Sequence, residues 1–178
     1  AMTRIRSAFP ELATKARVAI TNGYDAEEFP GEPVPRNEHF TIVHSGYLHT
    51  EAGLRQRHRN WQYRLLGRIA GGVEILPRSH FYLMRALEQW RRDDPAIRQT
   101  VRVVFVGVPA AADEQLVRES GAGELCAFTG YLPHSECVSR VRSADLLFLP
   151  MHGLPPGRRA SLVPGKTYEY LASRRPIL

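Results

Sequence analysis

Apolar positions along the chain fall into short β-rich runs that alternate with stretches of helical spacing. Phe40-Thr-Ile-Val43 is the first run, free of charge and ending at His44-Ser45-Gly46, the pattern of a buried strand with a loop at its carboxyl end. Val101 to Gly107 is the clearest strand, nearly all apolar and β-branched, as at the centre of a parallel sheet covered on both faces. Leu125 to Thr129 and Asp145 to Pro150 repeat the signal, and Arg175-Pro-Ile-Leu178 begins a last strand. Helical spacing runs over His80 to Arg92, with Leu83, Ala86, Leu87 and Trp90 on one side, then over Glu114 to Ser120 and Pro133 to Ala144. A final helix opens at Gly165 or Lys166 and reaches Ala172. Val163-Pro164-Gly165 cannot be helical as a block, because proline restricts the residue before it, whereas Lys166 to Ala172 are fair helix formers.

Strand alternating with helix predicts an open parallel α/β sheet with right-handed crossovers. Ligands of such sheets sit at the carboxyl ends of the strands. That rule collects Gly46, Gly107, Gly130, Tyr131, Leu132, Pro150 and Lys166 at one rim. Upstream, residues 1–20 carry weak helical spacing through Ile5, Phe9 and Leu12 and then an extended Val18 to Ile20. Thr21-Asn-Gly-Tyr-Asp25 is turn chemistry, and Phe29 to Pro35 is a Pro/Gly-rich connector, so this part enters a domain as a linker.

Charge changes the picture after the first strand. From Gly53 to Val73 there is no acid, while Arg55, Arg57, Arg59, Arg64 and Arg68 surround Trp61, Leu65 and Ile69, which fall four residues apart on one helical face. Two readings stay open: a surface helix packing this stripe on its own sheet, or a basic amphipathic face over Arg55–Arg68 for anionic lipid or a lipid-phosphate acceptor, peripheral to a membrane.

The chain has 178 residues, 43% apolar and 24% charged, enough to bury a real core and unlike a disordered or collagen-like composition. A net charge of +6 favours acidic partners without choosing among nucleotides, nucleic acid and anionic membranes. Cys126 and Cys137 have no paired or metal-ligand spacing and read as reduced core thiols. His39, His44 and His49 are scattered around a strand and read as incidental. With no apolar run of membrane-spanning length and no signal-peptide pattern, the expected location is the cytoplasm.

The start of the last helix carries the most specific chemistry. Its first turn offers backbone N–H groups and a partial positive charge, to which Lys166 adds a full one, a place suited to phosphate. Glu169, three residues on, can accept from hydroxyl groups of the same ligand. The plainer reading of Pro164-Gly165-Lys166 is a helix start with a solvated Lys–Glu pair.

Taken in order, Thr21-Asn-Gly-Tyr-Asp25 with Phe29, Phe128-Thr-Gly-Tyr-Leu-Pro133, Ser143-Ala-Asp-Leu-Leu-Phe-Leu-Pro150, Pro164-Gly-Lys-Thr-Tyr-Glu-Tyr-Leu-Ala172 and Arg175-Pro-Ile-Leu178 resemble the nucleotide-sugar-binding C-terminal domain of GT-B glycosyltransferases, the family-four-like, group-1 retaining type. The resemblance covers nearly the whole chain except the Arg-rich segment, which looks like an insertion. It implies a Rossmann-like half of a GT-B enzyme, truncated at its C-terminus, with residues 1–36 as the end of an N-terminal domain and linker and 37–178 as the donor domain. It also implies that Gly130, Tyr131 and Leu132 hold the base, that Gly46 lets the phosphates approach, and that Gly165 and Lys166 hold the diphosphate. Glu169 would take the ribose, making Lys166 and Glu169 the expected catalytic residues, with no metal and no cofactor beyond the nucleoside-diphosphate sugar as co-substrate. The acceptor, a glycan, a lipid-linked sugar or a small molecule, would be bound mainly by an N-terminal half.

Two departures matter. The carboxylate that the family often carries seven residues before Glu169 is replaced by Ser161, and Tyr47 follows Gly46 where a cation is expected. Arg55, Arg57, Arg158 or Arg159 is then the expected second phosphate-binding cation. Two other functions share the residues: an epimerase-type GT-B enzyme, and a non-catalytic basic module for nucleic acid. Aromatics are not interleaved on a strand face as RNA-binding sheets require, so no nucleic-acid partner is expected.

Overall fold

The computed structural model describes residues 7–12, 18, 20–31, 34, 37–66, 72–160 and 163–178. Four strands, β1 (Phe40–Ser45), β2 (Val101–Val106), β3 (Cys126–Phe128) and β4 (Leu146–Leu147), form an open, all-parallel sheet in the order β3-β2-β1-β4. β1 and β2 pair over their full length, Phe40 against Val101 to Ser45 against Val106. β4 is shorter than the run from Asp145 to Pro150 suggests, yet its hydrogen bonds continue outward. Asp145 and Phe148 donate to Thr41 and Val43 on β1, while Leu147 and Leu149 donate to Pro176 and Leu178 on the other side. The segment ending in Leu178 therefore takes the place beyond β4, bridging Leu147 with Ile177 in parallel. The architecture is Rossmann-like.

Side chains alternate along the strands, so the sheet has two buried faces. Ile42, Val103, Phe105 and Phe148 point to one, where α2 (Phe81–Asp93) supplies Leu83, Met84 and Leu87, and α4 (Ala111–Glu119) supplies Val117. Val43, Val106 and Leu147 point to the other, against Val141 of α5 (His134–Ser143) and Tyr170 of α6 (Lys166–Ala172). A short turn of helix, α3 (Ile97–Thr100), leads into β2. α4 begins at Ala111, ahead of the expected Glu114, because the Asp113 carboxylate turns back to accept the Ala110 N–H at 2.8 Å.

The Arg-rich segment is organised differently from its apolar spacing. Helix α1 (Thr50–Leu65) carries it, but Trp61 is 58% and Leu65 68% exposed, so packing of this stripe on the sheet is not what holds the helix. Ile69 and Arg68 lie outside the described residues. Small and polar groups attach α1 instead. Gly53 lies against the backbone of Leu76, and the Gln56 amide donates to Val73 O at 2.8 Å and accepts from Ile75 N–H at 2.7 Å. The chain leaves the sheet at His49 and returns at Arg78, where His49 N–H donates to Arg78 O at 3.2 Å. Residues 50–77 are thus an excursion closed at its base, and α2 makes the crossover from β1 to β2.

The upstream segment docks on α5. Asp25 caps a turn over Ala26–Glu28, Glu28 meets His134 at 2.9 Å, Arg142 donates to Pro30 O, and Asn37 donates to Ser143 O. Of the expected helical spacing near the start, Ile5 is outside the described residues and Pro10–Leu12 form a single 3-10 turn. Val18 and Ile20 are exposed and belong to no strand.

Gly53→Ala tests the attachment of α1. Alanine gains about 1 kcal/mol of helix propensity over glycine, but its Cβ would stand 2.6 Å from Leu76 Cα, and backbone overpacking costs about 1–3 kcal/mol. A net loss of roughly 1 kcal/mol is expected, read as a lower denaturation midpoint at unchanged slope.

Candidate functional site

β1 is buried along both flanks up to Ser45, and the next residue, Gly46, turns the chain at φ +96°, a region that costs other residues roughly 1–2 kcal/mol. A Cβ at Gly46 would also stand 3.0 Å from Lys166 Nζ. The position thus needs glycine for its backbone and for room beside the ammonium. Gly107, at the end of β2, is packed against Gly46 O and donates its N–H to Gly130 O at 3.1 Å. Gly46, Gly107, Gly130 and Lys166 therefore meet in one chain of contacts along the carboxyl rim.

α6 is fastened there by two side chains four residues apart, hence on one helical face. Lys166 Nζ donates to the Ser45 carbonyl, and the Tyr170 hydroxyl accepts the Ser45 N–H at 2.8 Å. Tyr170 is wholly buried, and burial pushes its phenol up to about 12. His44 completes the arrangement from inside the sheet. Its Nδ1 lies 2.9 Å from Phe148 O; a carbonyl only accepts, so Nδ1 carries the imidazole proton and Nε2 is left as an acceptor. That nitrogen is 3.4 Å from Lys166 Nζ. Burial, and next the Lys166 charge, press His44 down to about 3. The ring is neutral at any ordinary pH and acts as an acceptor that helps aim the ammonium.

The charge of a second cation is felt at the first. Lys166 is lowered to about 8, chiefly by burial and then by the charge of Arg78, with Cys137 and Glu169 acting weakly in the opposite sense. Arg78 also depresses His49 and His152, both already lowered by burial, and their rings stand 5.8 Å apart. Antiparallel bonds between Glu74 and Gly153, at 2.8 and 2.9 Å, tie the late loop carrying His152 to the return of the excursion carrying Arg78. The rim thus carries Lys166, within the field of Arg78, and two imidazoles whose charged forms are disfavoured, an arrangement that suits an anion with several oxygens.

Arg78 was not among the cations expected from sequence. Arg55 pairs with Glu51 at 3.1 Å, Arg57 lies over the Phe81 ring at 5.0 Å, and Arg158 and Arg159 are exposed in a turn, with no described bond to the rim. His44 and His49, which read as incidental, both lie at this rim. One signal could have found Arg78: a helix that restarts after Leu76-Pro77 must begin at the same rim where β1 ended, so the residue just before it lies there too.

The other expected residues are placed as follows. Gly165 is exposed at the helix start; Thr167 and Tyr168 turn their N–H groups inward to Pro164 and Gly165, and the Gly165 and Lys166 N–H groups meet no acceptor among the described residues. Tyr131 is 80% exposed, while Leu132 packs into the second core face and anchors the loop beneath it. Glu169 is half-buried, and its charge is felt at His134, Cys137, Lys166 and Tyr170, which puts it between α5 and α6. Both cysteines are free, and burial raises Cys126 to about 12. Among the described residues no group of three or more His, Cys, Asp or Glu could hold a metal, and no helix is long and apolar enough to cross a membrane. Comparison of the sequence with protein-family models and with curated proteins returned no match.

The lowered Lys166 has a sign that can be measured. Between about 8 and the usual 10.5 the unfolded chain holds a proton that the folded chain has released, so stability rises with pH across that window. Unfolding free energies of the native chain and of Lys166→Met, compared from neutral to alkaline pH, should differ by this upward slope. Parallel curves would mean that Lys166 titrates like a solvated lysine.

Proposed function

We propose that this chain binds a nucleoside-diphosphate sugar at the carboxyl rim of its sheet, as the donor half of a retaining GT-B glycosyltransferase of the family-four-like, group-1 type. The observation that carries the reading is Lys166, its ammonium fixed on the Ser45 carbonyl at the end of β1 beside the charge of Arg78. The diphosphate would lie between these two cations and over Gly46, with the Gly165 and Lys166 N–H groups as further donors. Glu169 would accept from the ribose hydroxyls, and the exposed Tyr131 ring would cover the base.

The chemistry follows from charge. As the bond from the sugar's anomeric carbon to the leaving diphosphate breaks, negative charge builds on the phosphate oxygens. Cations already aimed at those oxygens stabilise the transition state more than the intact donor. Lys166 is held by Ser45 O and faced by His44 Nε2, so little reorientation is needed when that charge appears. The acceptor hydroxyl would come from a substrate held mainly by an N-terminal half, and transfer is to be measured with that half present.

Calorimetry with UDP, GDP and inorganic pyrophosphate tests the reading. Charged hydrogen bonds contribute roughly 1.5–3 kcal/mol, so Lys166→Ala or Arg78→Ala should weaken all three ligands by about 10- to 100-fold. Glu169→Ala should weaken UDP and leave pyrophosphate unchanged, because only the nucleotide has a ribose. Absence of nucleotide binding by the native chain would remove the proposal. A binding heat that varies with the buffer's ionisation enthalpy near pH 8 is also expected, since a bound anion draws a proton onto Lys166.

A further inference from the structure

Helix α1, in the excursion of residues 50–77, takes no part in the proposed donor site, and its outer flank has no partner among the described residues. Stepping 100° per residue around α1 puts His58, Trp61 and Leu65 in one stripe, with Arg55 and Arg59 on one flank and Arg57 on the other. The inner side, Gly53 and Gln56, is taken up by Leu76 and the backbone of Val73 and Ile75. Trp61 and Leu65 are left largely exposed, and Leu66 is 72% exposed. Trp61, Arg57, Phe81 and Tyr82 also border an open cavity of about 470 Å³, which extends the aromatic surface onto α2.

We propose that this flank of α1 docks on the surface of an anionic lipid bilayer, with Trp61, Leu65 and Leu66 in the interface and the arginines on lipid phosphates. Charge complementarity selects the occupant. Gly53 to Val73 contains no acid, and of the three arginines named only Arg55 has an acidic partner among the described residues. Indole prefers the boundary between hydrocarbon and water, and arginine reaches phosphate from it. Exposed leucines beside arginines favour lipid over nucleic acid, which would engage the arginines and stack on Trp61 but leave the aliphatic groups without partners.

The test uses vesicles of phosphatidylcholine, alone or mixed with phosphatidylglycerol, with co-sedimentation and tryptophan fluorescence as readouts. The background is Trp90→Phe, so that emission reports Trp61. The chain should sediment with the mixed vesicles and not with phosphatidylcholine alone, and Trp61 emission should shift to the blue. Each arginine removed should weaken binding by about fivefold, so Arg57→Ala with Arg59→Ala should lose more than tenfold. Trp61→Ser with Leu65→Ser, at exposed positions where folding is not at stake, should weaken binding and lower its resistance to salt. No binding to mixed vesicles would overturn the proposal. So would binding that neither pair of substitutions alters, a gel shift with nucleic acid in place of vesicle binding, or self-association that hides Trp61 without lipid. UDP binding is read separately, so failure of either proposal leaves the other standing.

Discussion

The structure turns on one peptide unit. Ser45 ends β1, and both of its backbone groups are claimed by α6: the N–H by Tyr170 and the carbonyl by Lys166. An unpaired backbone group in such a buried place would cost about 1–3 kcal/mol, so the two side chains satisfy groups that the sheet ladder no longer reaches. The same bonds fix where α6 begins. They make the helix start a continuation of β1, which is why a residue 121 positions away in sequence comes to rest beside the Gly46 turn.

The excursion has the complementary property of being inserted without disturbing the sheet. Its two ends meet at His49 and Arg78, so β1, α2 and β2 relate to one another as if the intervening residues were a long loop. Loop length costs little once the ends are fixed. Among the described residues α1 adds none to either buried face, and its surface is therefore free to differ from that of the domain. The return of the excursion nevertheless supplies Arg78 to the rim, so the insertion is joined to the site at the point where it closes.

Legibility from sequence followed the apolar signal. β1, β2 and the start of α6 were readable because a buried strand needs a run of β-branched residues and because Pro164-Gly165 interrupts the backbone before Lys166. Of the two readings left open for α1, packing of its stripe on the sheet is not what is found: Trp61 and Leu65 imitate a core stripe while the attachment runs through Gly53 and Gln56, which carry no hydrophobic signal. The capping turn of Asp113 moved the start of α4 for a similar reason: a single carboxylate, not periodicity, sets it. At the rim, Gly46, Gly107, Gly130 and Lys166 could be gathered by the strand-end rule. Arg78 could not be gathered in that way, because it precedes a helix rather than following a strand. The contacts of His44 and of the Ser45 carbonyl belong to tertiary geometry, and a backbone oxygen leaves no trace in composition.

The balance of charge at the rim decides how α6 would hold the proposed anion. A helix of seven residues is too short to be stable alone, and the residue that precedes it as N-cap, Gly165, makes no side-chain cap. The helix dipole is therefore the weaker part of the attraction, and the full charges of Lys166 and Arg78 are the stronger part. Burial first, and the charge of Arg78 after it, lower Lys166, and Ser45 O with His44 Nε2 hold the lysine in place. The fastening of Tyr170 on the Ser45 N–H is separate from the ammonium and would be left untouched by an anion there. The anion proposed for this rim would meet a Lys166 ammonium already fixed on Ser45 O, and the sheet beneath would not have to rearrange.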